Sequence, residues 1–417
     1  MRGEHATTGG AAAAVERSTM RNGQRLPQRS DVHPHAATAT PTRRGTSVRL
    51  AAATASLVLT LALAACGGPA GPGGPTDPST TTYLLLDNAG QRSVSVMSSA
   101  GALADLTFEA NVSLGDGVRP CGMAIGPSGR LFVTDFDGAR VLVIDLDGLL
   151  DGDASSAARV ATITAPGLQE PCGLAFDASG SLWIADRRGS MLPDAFVANQ
   201  LLQFDASAVA GATGAVELTP VRSIEPLHGT TDTGPDALLE SRWITWLGFD
   251  DDDRLWFTDV WQASVNRIDA PGTLPLGLVT DVEPDMQLTN PPGSLIMRNP
   301  ASLAFDATGN VYVGNVGDAR ALRFVVSRLP SDGRTTVEPD AILTFPISLA
   351  ASPIAGPRAV TLDAEGALWA AGTNRGLYRV VAPADEDGDV TPGVDTEWTS
   401  AGFTDGATFV WTTRTTP

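Results

Sequence analysis

From residue 83 onward, apolar residues come in short paired runs, each pair split by a polar turn. Such runs are too short for amphipathic helices and suit β-hairpins. Pro120–Asp135 (PCGMAIGPSGRLFVTD) aligns without a gap on Pro171–Asp186 (PCGLAFDASGSLWIAD). Ile244–Asp259 (ITWLGFDDDDRLWFTD), Pro300–Asn315 (PASLAFDATGNVYVGN) and Pro357–Gly372 (PRAVTLDAEGALWAAG) repeat the pattern at intervals of 51 to 73 residues. In each copy a first strand of small apolar residues leads to a turn of the Asp-Ala-Ser-Gly kind. There the Asp side chain offers a local hydrogen bond and the Gly supplies positive φ. The second strand runs apolar with one aromatic, as in Leu-Trp-Ile-Ala.

A third strand follows each pair, over 141–144, 201–204, 265–268, 322–325 and 377–380, and a weaker fourth precedes the next copy. Four antiparallel strands repeated in this way predict an all-β, six-bladed β-propeller. Tyr83–Asp87 and Arg92–Met97 read as the second and third strands of a copy that lacks its first strand. Strand-forming residues left over in 403–413 are expected to complete it, closing the ring and removing the open sheet edges. A seventh blade would need a strand–turn–strand pair in 206–242, and none is legible there.

The longest apolar run, Leu50–Cys66 (LAAATASLVLTLALAAC), follows Arg43, Arg44 and Arg49 and is short for a bilayer span. It reads as the apolar core of an export signal. Gly67–Thr82 (GGPAGPGGPTDPSTTT) reads as a flexible tether. The expected organisation is a signal region over 1–65, a modified Cys66 with its tether over 66–82, and a propeller over 83–413. Residues 1–47 are long and mixed for a signal's leading segment, which points to translation starting at Val48.

Composition narrows the function classes. The chain has 417 residues, 28 cationic residues that are all arginine, 47 acidic residues and a formal charge of −19. Removing residues 1–65 takes away eight Arg and three acids, leaving 20 Arg against 44 acids, with His228 the only histidine. So acidic a chain lacks the basic footprint of a nucleic-acid binder. It carries no nucleophile elbow, phosphate loop, HExxH or CxxC signature.

Leu63-Ala64-Ala65-Cys66 resembles the lipobox of bacterial lipoproteins. The resemblance implies cleavage before Cys66, lipidation of its thiol and attachment to a membrane. Gly67 in the following position implies an outer-membrane or cell-surface lipoprotein rather than inner-membrane retention. The repeats resemble NHL repeats and the TolB-like six-bladed propellers of the senescence marker protein/gluconolactonase and virginiamycin B lyase groups. The gluconolactonase-like enzymes imply a metal held partly at the start of a first strand, where this chain has Cys121, Cys172 and Ala301. The lyases imply a catalytic His with a nearby Glu, and His228 is the available histidine.

In such a ring Asp87, Asp135, Asp186, Asp259 and Asn315 end equivalent second strands. They form an oxygen-rich ring able to hold a hard cation such as Ca²⁺. The alternative is that each pins its own turn and pairs with an Arg five residues on, as Asp87/Arg92 and Asp135/Arg140 are spaced to do. The acidic stretches 145–153, 250–253 and 385–389 read as solvated turns. Trp183, Trp256 and Trp369 share one repeat position and are expected in the blade cores. Trp243, Trp246 and Trp261 lie outside that register and, with His228, are the binding candidates. Cys121 and Cys172 occupy one position in consecutive repeats, which in an oxidising compartment favours a disulfide over two buried thiols. The function expected is an exported, lipid-anchored binding or scaffold module for an envelope protein or small ligand, its working face built from 187–200 and 226–242. The alternative is a metal-dependent hydrolase, lactonase or lyase acting at the channel mouth.

Overall fold

The computed structural model describes residues 79–151, 159–188, 199–227, 243–260, 262–317, 320–345, 357–372, 376–391, 394–399 and 408–416. Their strands form six sheets, the blades of a β-propeller. Blade 1 takes Ser79–Asn88, Ser93–Ser99 and Thr107–Ser113, with Phe409–Thr416 as its innermost strand. That strand pairs antiparallel with Ser79–Asn88 from Ser79↔Thr416 to Leu86↔Phe409, so the two ends of the chain close the ring. The innermost strands of blades 2 to 6 are Pro120–Ile125, Pro171–Phe176, Ile244–Phe249, Pro300–Phe305 and Pro357–Leu362.

Four of the six blades are built around a polar knot that explains their sequence. In blade 3, Asp177 Oδ1 accepts the backbone N–H of Ser179 and Ser181 at 3.0 and 2.9 Å, shaping the turn. Its Oδ2 accepts the buried Trp183 Nε1 at 2.8 Å and Gln203 Nε2 at 3.2 Å. Burial pushes the Asp177 carboxyl up, but bonds from Ser179, Trp183, Ser181 and Gln203 outweigh it and hold the group below its ordinary value. Asp250 does the same for Trp256 at 2.7 Å, Asp306 for Tyr312 at 3.4 Å and Asp363 for Trp369 at 2.8 Å. Blade 2 has Gly126 in the turn, Phe132 on the second strand and Val143 opposite it. A ring with no N–H thus comes with a turn with no carboxylate, as the rule against orphaned buried polar groups requires.

The same aromatics bind neighbouring blades. Phe132 meets Phe176 at 5.0 Å between ring centroids, Trp183 meets Phe249 at 6.0 Å, Trp256 meets Phe305 at 5.8 Å and Trp369 meets Trp411 at 5.6 Å, all edge-on. This is the favoured geometry for paired rings.

Four blades carry a fifth strand, one more than the repeat predicts. Gly214–Glu217, Gly277–Val282, Gly333–Thr336 and Gly388–Val390 each leave the following blade and pair in parallel with an outer strand of the one before. Each opens on a glycine at positive φ, 64° to 84°, where the chain turns to cross between blades. Buried arginines reinforce three crossings. Arg222 donates to the carbonyls of Leu274 (2.9 Å) and Gly272 (2.8 Å), Arg267 to that of Ser331 (2.6 Å), and Arg323 to those of Pro383 (3.3 Å) and Ala384. The stretch 206–227 therefore supplies one strand to blade 2 and one to blade 3, not a further blade.

Candidate functional site

At one end of the ring the innermost strands begin and the second strands end, as the pairs Pro120↔Asp135, Pro171↔Asp186, Ile244↔Asp259 and Pro300↔Asn315 fix. This end is the mouth of the central channel. Asp87, Asp135, Asp186, Asp259 and Asn315 all lie there and are fully buried. Their oxygens face their own blades. Asp135 Oδ1 accepts the N–H of Arg119 at 2.9 Å and of Gly138 at 3.2 Å, and its Oδ2 accepts Arg140 Nε at 2.8 Å. Asp186 takes the N–H of Gln169 and Glu170 at 3.0 and 2.9 Å and Arg188 Nε at 3.2 Å. Burial outweighs those bonds and pushes the Asp186 carboxyl up. Asp87 accepts from Thr408 N at 2.8 Å, Asp259 from Gln262 N at 3.0 Å, and Asn315 from Arg298 N at 2.6 Å.

Each of these residues accepts a backbone N–H next to its own strand pair, as the turn-pin reading, the alternative to a Ca²⁺ ring, has it. Among the described residues no three His, Cys, Asp or Glu side chains gather where they could hold a metal ion.

The mouth instead presents arginines and rings. Cys121 and Cys172 form a disulfide between neighbouring innermost strands, Cα–Cα 4.7 Å, packed with Phe136. Arg119 lies over one face of Phe136 at 4.9 Å and Arg187 over the ring at 4.7 Å. Arg187 also stacks on Trp243 at 4.6 Å, so one guanidinium bridges aromatics from blades 2 and 4. The Arg358 Nη2 lies 3.9 Å from Cys121 Sγ, which brings a third arginine to the disulfide. Arg187 is oriented by Glu170 at 2.7 Å and Arg119 is 3.5 Å from Asp137. Beyond that contact, the Nη groups of Arg187 take no hydrogen-bond partner among the described residues.

The channel holds a cavity of about 260 Å³ whose lining includes Trp246, Phe249, Phe305, Leu362 and Thr408. Trp246 stands where the other innermost strands have Gly122, Gly173, Ser302 and Ala359. Its indole lies over Gly248, where a Cβ would collide with the ring. The large residue and the glycine two places on are thus one packing unit. Of the binding candidates, Trp243 stands at the mouth and Trp246 lines the channel, whereas His228 and Trp261 lie outside the described residues, as do most of 187–200 and 226–242 and the proposed lipidation site Cys66. The Arg119–Phe136–Arg187 stack had no signal in the linear pattern, because Arg119 and Phe136 flank one repeat copy whereas Arg187 follows the next.

The disulfide closes a loop of 51 residues. On the chain-entropy account such a crosslink stabilises by about 4 kcal/mol. Cys172→Ala is expected to lower the unfolding free energy by up to that amount, read by urea titration. Alkylation of both native thiols without prior reduction would show that the crosslink is not formed.

No family model matches the chain, and no curated protein matches it. Solved structures do. The periplasmic gluconolactonase of Pseudomonas aeruginosa is 15% identical over 79% of this chain and 99% of its own, with a TM-score of 0.47. A streptogramin B lyase is 12% identical over 77% of this chain and 88% of its own, TM-score 0.44. The virginiamycin B lyase of Staphylococcus aureus is 15% identical over 70% and 73%, TM-score 0.39.

Proposed function

We propose that the protein is an exported, lipid-anchored propeller that works as a binding module in the cell envelope, with its ligand face at the channel mouth. The observation that carries this reading is the guanidinium of Arg187, which lies over Phe136 and over Trp243 and whose Nη groups take no hydrogen-bond partner among the described residues. A cation stacked on two rings is preorganised to receive a ligand and loses little freedom when it does so. Asp135 and Asp186 at the same mouth are committed to backbone N–H groups and to Arg140 and Arg188, which favours binding over metal-assisted chemistry. The anchor reading rests on the lipobox-like Leu63–Cys66 and the tether that follows it.

Protein purified without chelator is expected to hold no stoichiometric divalent ion and to leave lactones intact. One ion per chain, together with chelator-sensitive lactone hydrolysis, would replace this reading with the hydrolase. In the same cells, Cys66→Ser is expected to move the protein from the membrane fraction to the soluble one.

A further inference from the structure

Blade 1 carries a cleft at the end opposite the channel mouth, and we infer that this cleft is a binding site for a neutral sugar unit. The inference is independent of the reading of the mouth. Thr81 and Tyr83, near the start of Ser79–Asn88, line the cleft. Asp87 ends the same strand at the mouth, about 20 Å from Thr81 at strand rise. The cleft lies between three strands of blade 1 and the short helix Leu146–Leu150 of blade 2. Its volume of about 450 Å³ falls within the range of small-molecule sites, roughly 300–1,000 Å³.

The chemistry of the lining decides the class of ligand. Seven of the nine lining residues carry a side-chain oxygen, and none carries a nitrogen. The cleft therefore offers hydroxyls and carboxylates with no cation among them, which suits a ligand rich in hydroxyl donors and disfavours an anion. Its acceptors are not used up internally. Ser98 Oγ and Thr107 Oγ1 both donate to Glu109 Oε1, at 2.6 and 3.0 Å, which fixes that carboxylate and leaves its Oε2 to a ligand. The Asp105 carboxylate and the hydroxyls of Thr81 and Tyr83 take no hydrogen-bond partner among the described residues.

Tyr83 and Leu150 are half-buried and pack on the core shared by blades 1 and 2, so the cleft also has an apolar side. A pyranose presents the matching combination. Its hydroxyls donate to carboxylates and accept from side-chain hydroxyls, and its C–H face packs on a ring. An amine is donor only, and would leave the donor capacity of the Thr81 and Tyr83 hydroxyls unused. Asp105 and Glu109 stand at the exposed rim, where water weakens their pull on a cation.

The test titrates the full mature chain by calorimetry with cellobiose, maltose, N,N′-diacetylchitobiose and methyl α-mannoside, and with spermidine as the amine. At least one saccharide is expected to bind with a Kd of about 5 mM or tighter, and more tightly than spermidine. Because both acids are exposed, Asp105→Ala combined with Glu109→Ala is expected to keep the melting temperature within a few degrees. The same double variant should lose at least tenfold of the saccharide affinity. If none of the four saccharides binds that tightly, or if spermidine binds more tightly than all of them, the inference is overturned. A double variant that folds and binds the saccharide unchanged puts the sugar elsewhere and overturns it too. Should the double variant not fold, Thr81→Val decides: a severalfold loss of saccharide affinity is expected, and an unchanged affinity overturns the assignment.

Discussion

Removing Phe409–Thr416 is expected to cost the protein its cooperative unfolding transition. Without that strand Ser79–Asn88 loses the partner it pairs with along eight residues, and blade 1 presents an open inner edge to the channel. Trp369, fully buried in blade 6, loses the ring of Trp411 packed against it at 5.6 Å. The ion pair of Arg414 with Asp151, which ties the last strand to blade 2, goes with it. Burying one large aromatic is worth about 3 kcal/mol, a large fraction of a typical domain's whole stability. Eight backbone partners and an exposed sheet edge add to the loss, and the edge invites aggregation. The shortened chain should melt broadly or precipitate when followed by far-ultraviolet circular dichroism. A sharp melt within a few degrees of the full-length protein would mean that the ring closes without its last strand.

The second large effect belongs to Asp363. This buried carboxylate accepts the N–H of Glu365 and Ala367, both at 2.9 Å, Trp369 Nε1 at 2.8 Å and Arg379 Nε at 3.0 Å. Asp363→Ala takes the acceptor from a buried indole N–H and from Arg379 Nε, whose guanidinium keeps its contact with the Glu365 carboxylate. Breaking a buried pair on one side costs about 3–5 kcal/mol, more than removing both sides together. Blade 2 supplies the control, since Gly126, Phe132 and Val143 fill the same places with no polar group to satisfy. Asp363→Gly combined with Trp369→Phe and Arg379→Val should therefore regain most of the stability lost by Asp363→Ala. Denaturant titration of both variants reads the difference. A triple variant less stable than the single one would show that packing, rather than polar satisfaction, sets the blade core.

That internal control also explains what could be read from the chain before its structure. The paired runs, the Asp turns and the aromatic of each second strand recur at fixed spacing, and the period-two pattern places them in strands. The closing strand was legible because blade 1 visibly lacks a first strand. The fifth strands were not. Gly214–Glu217, Gly333–Thr336 and Gly388–Val390 are three or four residues long, carry no hydrophobic period, and pair with strands of another blade. The arginines that lock them bind backbone carbonyls, which leave no mark in a sequence. At the mouth, repeat position located Asp135 and Asp186 but could not say which way their oxygens faced. Trp246 was findable as a large residue in a place held elsewhere by Gly122, Gly173 and Ser302.

The seam in blade 1 also orders events in time. A chain made from its N-terminus lays down Ser79–Asn88 first among the strands, yet the partner for its inner edge is the last to appear. Blades 2 to 6 draw all four of their core strands from continuous stretches and can pair as they emerge, because their contacts are local. The bond between Cys121 and Cys172 needs only two consecutive blades, so it can lock them before the ring exists. Blade 1 must wait through more than 300 residues of synthesis, from Asn88 to Phe409, with Leu84 and Leu86 uncovered. A long-range contact formed last is the slow step of folding and the one open to capture by other chains. The vulnerable interval of this protein's life is therefore set by the arrival of its final eight-residue strand, and slow passage through the last blade would lengthen it.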